Sequence, residues 1–185
     1  EATRLTRLID DILLLSTIEN KTKKKVEKVD LFEVFEEVHE GINYIAKKKN
    51  IKVKYDFENK DIDLWEYSGY IRQILVNIIS NAIKYTGENG KVSIKQYIKS
   101  EKVFIEVKDN GIGIPEEDIE RIFERFYRVD KARSRSVGGT GLGLAITKHM
   151  VKALNGNIRV ESELGVGSKF IIELPFNQEF AQKAS

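Results

Sequence analysis

Two glycine clusters are the segments of this sequence whose composition and spacing are best suited to chemistry. The first reads DNGIGIP over residues 109–115, and the second reads GGTGLGL over residues 138–144 and opens a helical pattern. Glycine lets backbone amides approach a ligand closely. A helix N-terminus adds unpaired N–H groups and the positive end of the helix dipole. The second cluster is therefore a candidate phosphate-binding loop.

Asn77 and Asn81 form the third candidate feature. Their i, i+4 spacing places both amides on one face of a helix whose inner side is otherwise apolar, so both need partners. Amide oxygens suit a hard cation such as Mg²⁺. Lys84 and Tyr85 follow within one turn and could reach a phosphate or a base. Each feature also has a purely structural explanation (a turn, a packing glycine, a bridging amide), so none decides alone.

Composition excludes several classes of function. The sequence matches neither the GxxxxGK[ST] loop nor the GxGxxG fingerprint after a strand. It has no cysteine and only two histidines, which excludes disulfides and cysteine- or histidine-rich metal sites. Basic and acidic residues number 31 and 29, so nothing indicates nucleic-acid binding. No apolar run reaches the ~18 residues of a membrane span, and we expect no membrane contact by this segment.

Hydrophobic periodicity predicts an α/β protein. Alternation along the strands implies one buried sheet face, so the helices should collect on that side as a two-layer sandwich. Asp30 is a predicted N-cap, and Gly156 is placed where a C-cap should be. Helices are predicted over residues 4–18, 30–46, 67–85, 116–127 and 141–154, and strands over 51–57, 92–98, 103–107, 157–162 and 168–174.

Five motifs in order resemble a known family. They are NIISNAIKYT at 77–86, DNGIGIP at 109–115, RIFERFYR at 121–128, GTGLGL at 139–144 and GVGS at 165–168. This set is similar to the N, G1, F, G2 and G3 boxes of the catalytic and ATP-binding domain of sensor histidine kinases. That domain belongs to the wider group of ATPases that includes DNA gyrase, MutL and heat-shock chaperones. The resemblance covers roughly residues 30–175.

The resemblance implies a Bergerat-type ATP-binding fold, with a mixed, mostly antiparallel sheet and three main helices on one face. An appended N-terminal helix resembles the second helix of the family's dimerisation and phosphoacceptor hairpin. Its seam of Leu5, Leu8, Ile12 and Leu15 has the spacing of a helix that packs lengthwise on a partner, although it could instead fold onto its own domain. We predict that residues 1–20 belong to this hairpin, 21–29 to a linker, 30–176 to the catalytic domain and 177–185 to a polar tail.

The resemblance also implies roles for individual residues. Asp109 would accept a hydrogen bond from the adenine amino group, and Asn81 would hold Mg²⁺ between the phosphates with Asn77 alongside. Arg128 would approach the γ-phosphate, and Lys84 would contact phosphate. The implied catalytic residues are Asn77, Asn81, Lys84 and Arg128, and the implied ATP-binding residues are Asn77, Asn81, Lys84, Tyr85, Asp109, Gly111, Gly113, Ile114, Gly139, Thr140, Gly141, Leu142 and Gly143.

Two further segments have expected roles that do not depend on direct contact with the adenine. Residues 129–138 would form the ATP lid, where Lys131, Arg133 and Arg135 could equally be a solvated basic loop. The aromatic side chains of the F box are expected to pack against the phosphoacceptor hairpin or in the core. They are Phe123, Phe126 and Tyr127.

Asn77 separates a kinase from an ATPase. Related ATPases have a glutamate four residues before the metal-binding asparagine, and an amide is no general base at neutral pH. The sequence therefore favours transfer of the γ-phosphoryl of ATP to another nucleophile over hydrolysis. The resemblance implies that the chain is the catalytic fragment of an ATP-dependent protein histidine kinase. The alternatives are an anti-sigma-factor-type serine kinase and an ATP-binding module without activity.

The implied partners are the phosphoacceptor hairpin of a homodimeric parent and the receiver domain of a response regulator. The acceptor histidine itself is not recognised here, because Gly41 and Ile42 break the pattern after His39. The chain opens in mid-pattern, which suggests a piece of a longer protein. We expect a cytoplasmic domain of a membrane-anchored parent.

Overall fold

The structure is a computed structural model that describes residues 2–19, 25–67, 69–129 and 139–176. The chain forms four helices and seven strands in this described part. The helices are α1 (Ala2–Glu19), α2 (Leu31–Lys48), α3 (Tyr70–Tyr85) and α4 (Gly143–Ala153). The strands are β1 (Val26–Asp30), β2 (Lys52–Phe57), β3 (Asp63–Tyr67), β4 (Lys91–Lys99), β5 (Lys102–Asp109), β6 (Asn157–Glu163) and β7 (Gly167–Pro175).

Five strands build the main sheet in the order β2-β4-β5-β7-β6. The β2–β4 pair is parallel and the other pairs are antiparallel, so the sheet is mixed and mostly antiparallel as expected. Along β5, fully buried residues alternate with more exposed ones. The fully buried residues include Val103, Ile105 and Val107. Since successive strand residues face opposite sides, these three side chains lie beneath the helices.

Helix α3 forms the centre of the helical layer. Its apolar positions repeat at helical spacing, and Leu75, Ile78 and Ile79 have no exposed surface. Burial of each such side chain contributes about 1.5–3 kcal/mol. Helix α2 is capped by Asp30, whose Oδ1 accepts hydrogen bonds from Phe32 N and Glu33 N as the sequence predicts. The two-layer α/β sandwich is confirmed.

The N-terminal part of the domain differs from the prediction. The second half of the expected linker is strand β1, which pairs with β3 in a separate two-stranded sheet. Helix α1 also packs on the domain, because Leu15 and Ile18 are buried in its core. Of the predicted seam, Leu8 is half-buried and Leu15 is buried, whereas Leu5 and Ile12 are exposed.

Two local elements also differ from the prediction. The expected helix over 116–127 is two short 3₁₀ turns, Glu116–Asp118 and Arg121–Phe123, and it ends before Phe126, whose φ of 62° is incompatible with a continuing helix. At the end of α4, the left-handed residue is Asn155 (φ 57°) rather than Gly156, whose N–H donates to Val151 O.

Glu66 organises the start of α3. Gly69 is the N-cap residue and offers no side-chain acceptor, and the buried Glu66 Oε2 instead accepts Ile71 N–H at 2.7 Å. Glu27 lies directly opposite on β1. Burial raises the pKa of Glu66 to about 7, and Glu27 contributes in the same direction. The carboxyl group therefore titrates near neutral pH at the beginning of the helix that carries both asparagines.

Candidate nucleotide-binding site

A cavity of about 1060 Å³ opens at one end of the helical layer. It is lined from the last turns of α3, the loop after β5, the segment before α4 and the β6–β7 turn. Asn81, Asp109 and Gly143 all border it, although they lie far apart in sequence. The volume is at the upper end of the ~300–1,000 Å³ typical of small-molecule pockets.

Asp109 forms the deep end of the cavity. It is the last residue of β5 and is 6% exposed. Its Oδ1 accepts hydrogen bonds from Gly111 N at 2.8 Å and Ser168 N at 3.3 Å. Burial raises the pKa of Asp109, and these two hydrogen bonds oppose that shift. Within the described ranges Oδ2 accepts no hydrogen bond, so one carboxylate oxygen remains available to a donor on a ligand.

The loop after Asp109 is tightly packed. Gly113 lies at φ 69°, and a Cβ there would lie 2.0 Å from Glu163 O, so only glycine fits. Ile114 lines the cavity, and its N–H donates to Ser162 Oγ. Gly111 does not border the cavity; it packs against Tyr85 O and supports Asp109 through its N–H. Its role is therefore to position the carboxylate.

Asn77 and Asn81 have different environments although they share a helix face. The Asn77 amide accepts from Gln73 Nε2 at 3.0 Å and donates to Gly143 O at 3.1 Å and Thr147 Oγ1 at 3.2 Å. It thus ties α3 to the start of α4. Asn81 borders the same cavity, and its side chain makes no hydrogen bond in the part of the chain that the structure describes. Its amide is therefore available to a ligand or a cation.

Positive charge collects on another part of the cavity wall, the cationic end. Lys84 and Arg128 both line it beside Gly139, whose carbonyl oxygen accepts from Arg128 Nη1 at 3.2 Å. Burial lowers the pKa of Lys84, and Arg128 lowers it further. Tyr85 lies next to Lys84, with the ammonium nitrogen 5.0 Å from its ring centroid. Two cations close together favour an anionic ligand, since such a ligand relieves their repulsion.

The glycine-rich segment before α4 shapes this cationic end. Gly139, Thr140, Gly141 and Gly143 line the cavity, and no side chain among the described residues caps the N-terminus of α4. Gly141 lies at φ 75°, and its carbonyl oxygen accepts Phe126 N–H at 2.9 Å. Leu142 does not border the cavity; its side chain is fully buried and its N–H donates to Thr140 Oγ1. Uncapped amides at a helix start form a site for phosphate.

The family can now be assigned from comparison with known proteins. The family described as "Histidine kinase-, DNA gyrase B-, and HSP90-like ATPase" matches residues 67–178. The chain belongs to this ATPase family. The match includes the cavity-lining residues from Asn77 to Phe170, whereas Asp10 and Asp11 of α1, which also line the cavity, lie outside it.

The most similar relatives include sensor histidine kinases. Sensor histidine kinase WalK of Bacillus subtilis (strain 168) is 38% identical over 97% of this chain, which spans 30% of the length of that relative. The catalytic domain of histidine kinase ThkA matches 82% of this chain and 96% of its own, with a TM-score of 0.72 and 33% identity. Full-length ShkA, crystallised with AMPPNP, matches 93% of this chain and 36% of its own, with a TM-score of 0.80 and 30% identity.

ThkA has also been crystallised in complex with the response regulator protein TrrA. That structure matches 96% of this chain and 48% of its own, with a TM-score of 0.75 and 29% identity. Among the residues that the structure describes, no helix has the length and apolar character needed to cross a membrane.

The F box of this ATPase domain is divided between cavity and surface. Tyr127 lines the cavity, and its hydroxyl group donates to Asp118 Oδ1. Phe123 packs against the core, and Phe126 is 58% exposed. The basic side chains expected in the lid, namely those of Lys131, Arg133 and Arg135, lie outside the described residues.

Asp10 and Asp11 of α1 were not expected at the site. Both border the cavity, and Asp11 Oδ2 accepts a hydrogen bond from Thr140 Oγ1 at 2.7 Å. The sequence alone assigned no role to these two residues. The sequence shows only two adjacent acidic residues on α1. Such a pair does not indicate a contact with Thr140, which lies 129 residues further along the chain.

The side chains present fit a magnesium ion held mainly by a bound nucleotide. In the described part of the chain, no three carboxylate or imidazole groups cluster closely enough to hold a metal. The Asn81 amide oxygen is a hard donor on the cavity wall, and Mg²⁺ commonly binds one or two protein ligands together with phosphate oxygens and water. Asn77 is less suited to be a ligand because its amide is engaged between α3 and α4.

Proposed function

We propose that this chain is the ATP-binding catalytic part of a sensor histidine kinase, which transfers the γ-phosphoryl of ATP to a histidine on a dimerisation hairpin. The observation that carries the proposal is that Asn81, Asp109 and the start of α4 line one cavity. This is the arrangement that the N, G1 and G2 motifs require. The ShkA complex with AMPPNP supports a nucleotide ligand in this fold.

The adenine ring would occupy the end bordered by Asp109. Its exocyclic amino group would donate to Asp109 Oδ2, which accepts no other hydrogen bond in the described residues. A purine with a keto group at that position would leave Oδ2 of this buried carboxylate without a hydrogen-bond donor, which costs about 1–3 kcal/mol or more. The carboxylate would thereby select adenine over guanine.

The triphosphate would extend towards Lys84, Arg128 and the N-terminus of α4. Asn81 would hold Mg²⁺, which supplies neutralisation of phosphate charge when bound. Arg128, anchored on Gly139 O, would stabilise the charge that develops as the bond between the γ-phosphorus and the ADP oxygen breaks. A bond from the γ-phosphorus to an imidazole nitrogen of the acceptor forms in the same step. The phosphoryl group would then pass to a response-regulator aspartate.

The environment of Asn77 supports transfer to a protein over hydrolysis. Its side chain is an amide, which is no general base at neutral pH, and it is held by Gln73, Gly143 and Thr147. We expect ATP turnover by the chain alone to remain well below about 1 s⁻¹, a rate at the low end of ordinary enzymes. Release of phosphate from ATP measures this directly, and turnover at that rate or faster would contradict the assignment.

The decisive experiment supplies an acceptor in trans. The hairpin of a related kinase, with its histidine, is incubated with this chain, Mg²⁺ and ATP labelled at the γ-phosphate. Acid-labile label on the hairpin is expected, and the same hairpin with the histidine replaced is the control. Acid-stable label would instead indicate a serine kinase, and ATP binding without any transfer would indicate a binding module.

The cellular location is part of the same proposal. ATP and response regulators are both found in the cytoplasm, so we place this domain there. We assign membrane anchoring to the parent protein. The structure of ThkA with TrrA supports a response regulator as the partner of the parent kinase.

A further inference from the structure

Lys49 caps a helix to which it does not belong. It follows the last residue of α2, and its Nζ donates to Ile83 O at 2.9 Å, Lys84 O at 2.8 Å and Thr86 O at 2.7 Å. A lysine ammonium group carries three N–H donors. All three have a carbonyl partner here, and all three carbonyls belong to the end of α3.

The end of α3 needs such a partner. The last carbonyls of a helix have no N–H within the helix to accept from, and they form the negative end of its dipole. The hydroxyl group and the N–H of Thr86 both donate to Ala82 O, so they satisfy only the first of the terminal carbonyl groups of α3. Lys49 supplies a positive charge and three N–H donors to the carbonyl groups that follow Ala82.

The backbone around Lys49 strengthens the contact. Asn89 N donates to Lys49 O at 3.1 Å, and Asn50 Nδ2 donates to Asn89 Oδ1. Lys52 N also donates to Gly90 O at 3.0 Å. The turn between α2 and β2 is thus joined to the turn between α3 and β4 by backbone and side-chain hydrogen bonds in both directions.

This turn of α3 also forms part of the candidate nucleotide-binding site. Lys84 and Tyr85 line the cavity, and Tyr85 O accepts the N–H of Ile112 in the loop after Asp109. The carbonyls of residues 83, 84 and 86 are therefore held by Lys49, and the carbonyl of residue 85 holds the loop. A rotation of this turn would move the cavity side chains and the loop together.

We propose that Lys49 is a positioning residue of the nucleotide-binding site, although it does not border the cavity. Its ammonium group fixes the last turn of α3, so that Tyr85 O receives the loop and Lys84 remains beside Gly139. The consequence for ATP rests on the proposed function. The consequence for the loop does not, because the contact between Ile112 and Tyr85 is present without a ligand.

The experiment compares Lys49→Met with Lys48→Met and Lys49→Arg. Lys48 is the exposed last residue of α2, next to Lys49, so its replacement removes one charge without touching α3. Three quantities are measured for each variant and for the unmodified chain. They are the exchange rate of the Ile112 amide hydrogen without nucleotide, the Kd for ATP with Mg²⁺, and the melting temperature.

For Lys49→Met we expect exchange at Ile112 to become about tenfold faster or more, while core amides such as that of Ile105 change less. The Kd for ATP should rise about fivefold to tenfold at a temperature where the variant is folded, because small misplacements of binding groups are costly. Lys49→Arg should recover part of both effects, since guanidinium also donates several hydrogen bonds. Lys48→Met should leave both unchanged.

Two results would overturn the proposal. One is an unchanged Ile112 exchange rate and Kd in Lys49→Met with a lower melting temperature, which would make Lys49 a stabilising residue only. The other is an equal effect in Lys48→Met, which would reduce the role to general charge. If the unmodified chain does not bind ATP, the proposed function fails, and the Ile112 exchange rate still decides the role of Lys49.

Discussion

The two ends of the cavity are built in different ways. Asp109 lies at the end of a central strand, 6% exposed, with its first oxygen fixed by two backbone N–H groups. At the other end, Arg128 is half-buried and the backbone passes through Gly139 and Gly141 at positive φ. Under the proposed function, recognition of the base would depend on one preformed group, whereas recognition of the phosphates would be spread over many weaker ones.

Asp109→Asn should have the largest effect, because it replaces the buried carboxylate that is proposed to accept from the base. The amide keeps one oxygen for Gly111 and presents an NH₂ group to the adenine amino group. We expect the Kd for ATP to rise about 100-fold, equivalent to ~2.7 kcal/mol. Titration calorimetry measures it. Asp56→Asn, on an exposed position of β2, is the matched control, and a less than fivefold change in Asp109→Asn would show that the base is read elsewhere.

Helix α3 serves both ends of the cavity, and its start should respond to pH. The pKa of Glu66 is raised to about 7 from 4.5 in the unfolded chain, so its contribution to stability is present below about pH 4.5 and is lost as the pH rises through 7. Unfolding free energy should therefore fall by about 2 kcal/mol from this group between pH 5 and 8. Denaturant melts at both pH values measure it.

The control for that prediction is Glu66→Gln, which keeps an acceptor for Ile71 N–H without the charge. The pH dependence should flatten in this variant. Glu27→Gln should reduce it in part, since Glu27 faces Glu66 across the strand pair. Retention of the full pH dependence in Glu66→Gln would assign it to another group.

Gly141→Ala tests the phosphate end. A Cβ at this residue would lie 3.0 Å from Phe126 Cα, and φ 75° disfavours alanine. We expect the Kd for ATP to rise about tenfold, or ~1.4 kcal/mol, and the Kd for adenosine to change little. Gly41→Ala is the control, because that glycine lies in α2 with no atom near a Cβ. An equal loss for adenosine would mean that the two ends are not independent.

Sequence reasoning predicted the elements with strong periodicity and failed where a tertiary contact sets the conformation. The alternation around Ile105 and the helical spacing around Ile78 are local signals, and both elements are present. Strand β3 was missed because Glu66, a charged residue, occupies one of its buried positions. The expected helix over 116–127 failed because Phe126 adopts a left-handed conformation to donate to Gly141 O.

The site followed the same rule. The motifs predicted which segments surround the cavity, since each has a recognisable sequence. They did not predict that Leu142 is buried in the core or that Gly111 packs behind Asp109, and they left open whether Asn77 binds a ligand or bridges to a neighbouring segment. These roles depend on which side of a backbone faces the cavity. A sequence motif does not contain that information.

Asp11→Asn should have the smallest effect and the opposite sign. The carboxylate of Asp11 accepts from Thr140 within the phosphate-binding segment, and a negative charge there repels phosphate. We expect the Kd for ATP to fall about threefold, equivalent to ~0.6 kcal/mol, at low salt, and less at high salt because of screening. Asp10→Asn is the control, because Asp10 also lines the cavity and makes no hydrogen bond to Thr140.

Equal gains in affinity in the two variants would indicate an effect of charge alone. A gain confined to Asp11→Asn would indicate that α1 restrains the phosphate-binding segment through Thr140. Weaker binding in Asp11→Asn would mean that the contact instead holds the phosphate end in its binding geometry, and the contrast between one preformed end and one adaptable end would then be lost.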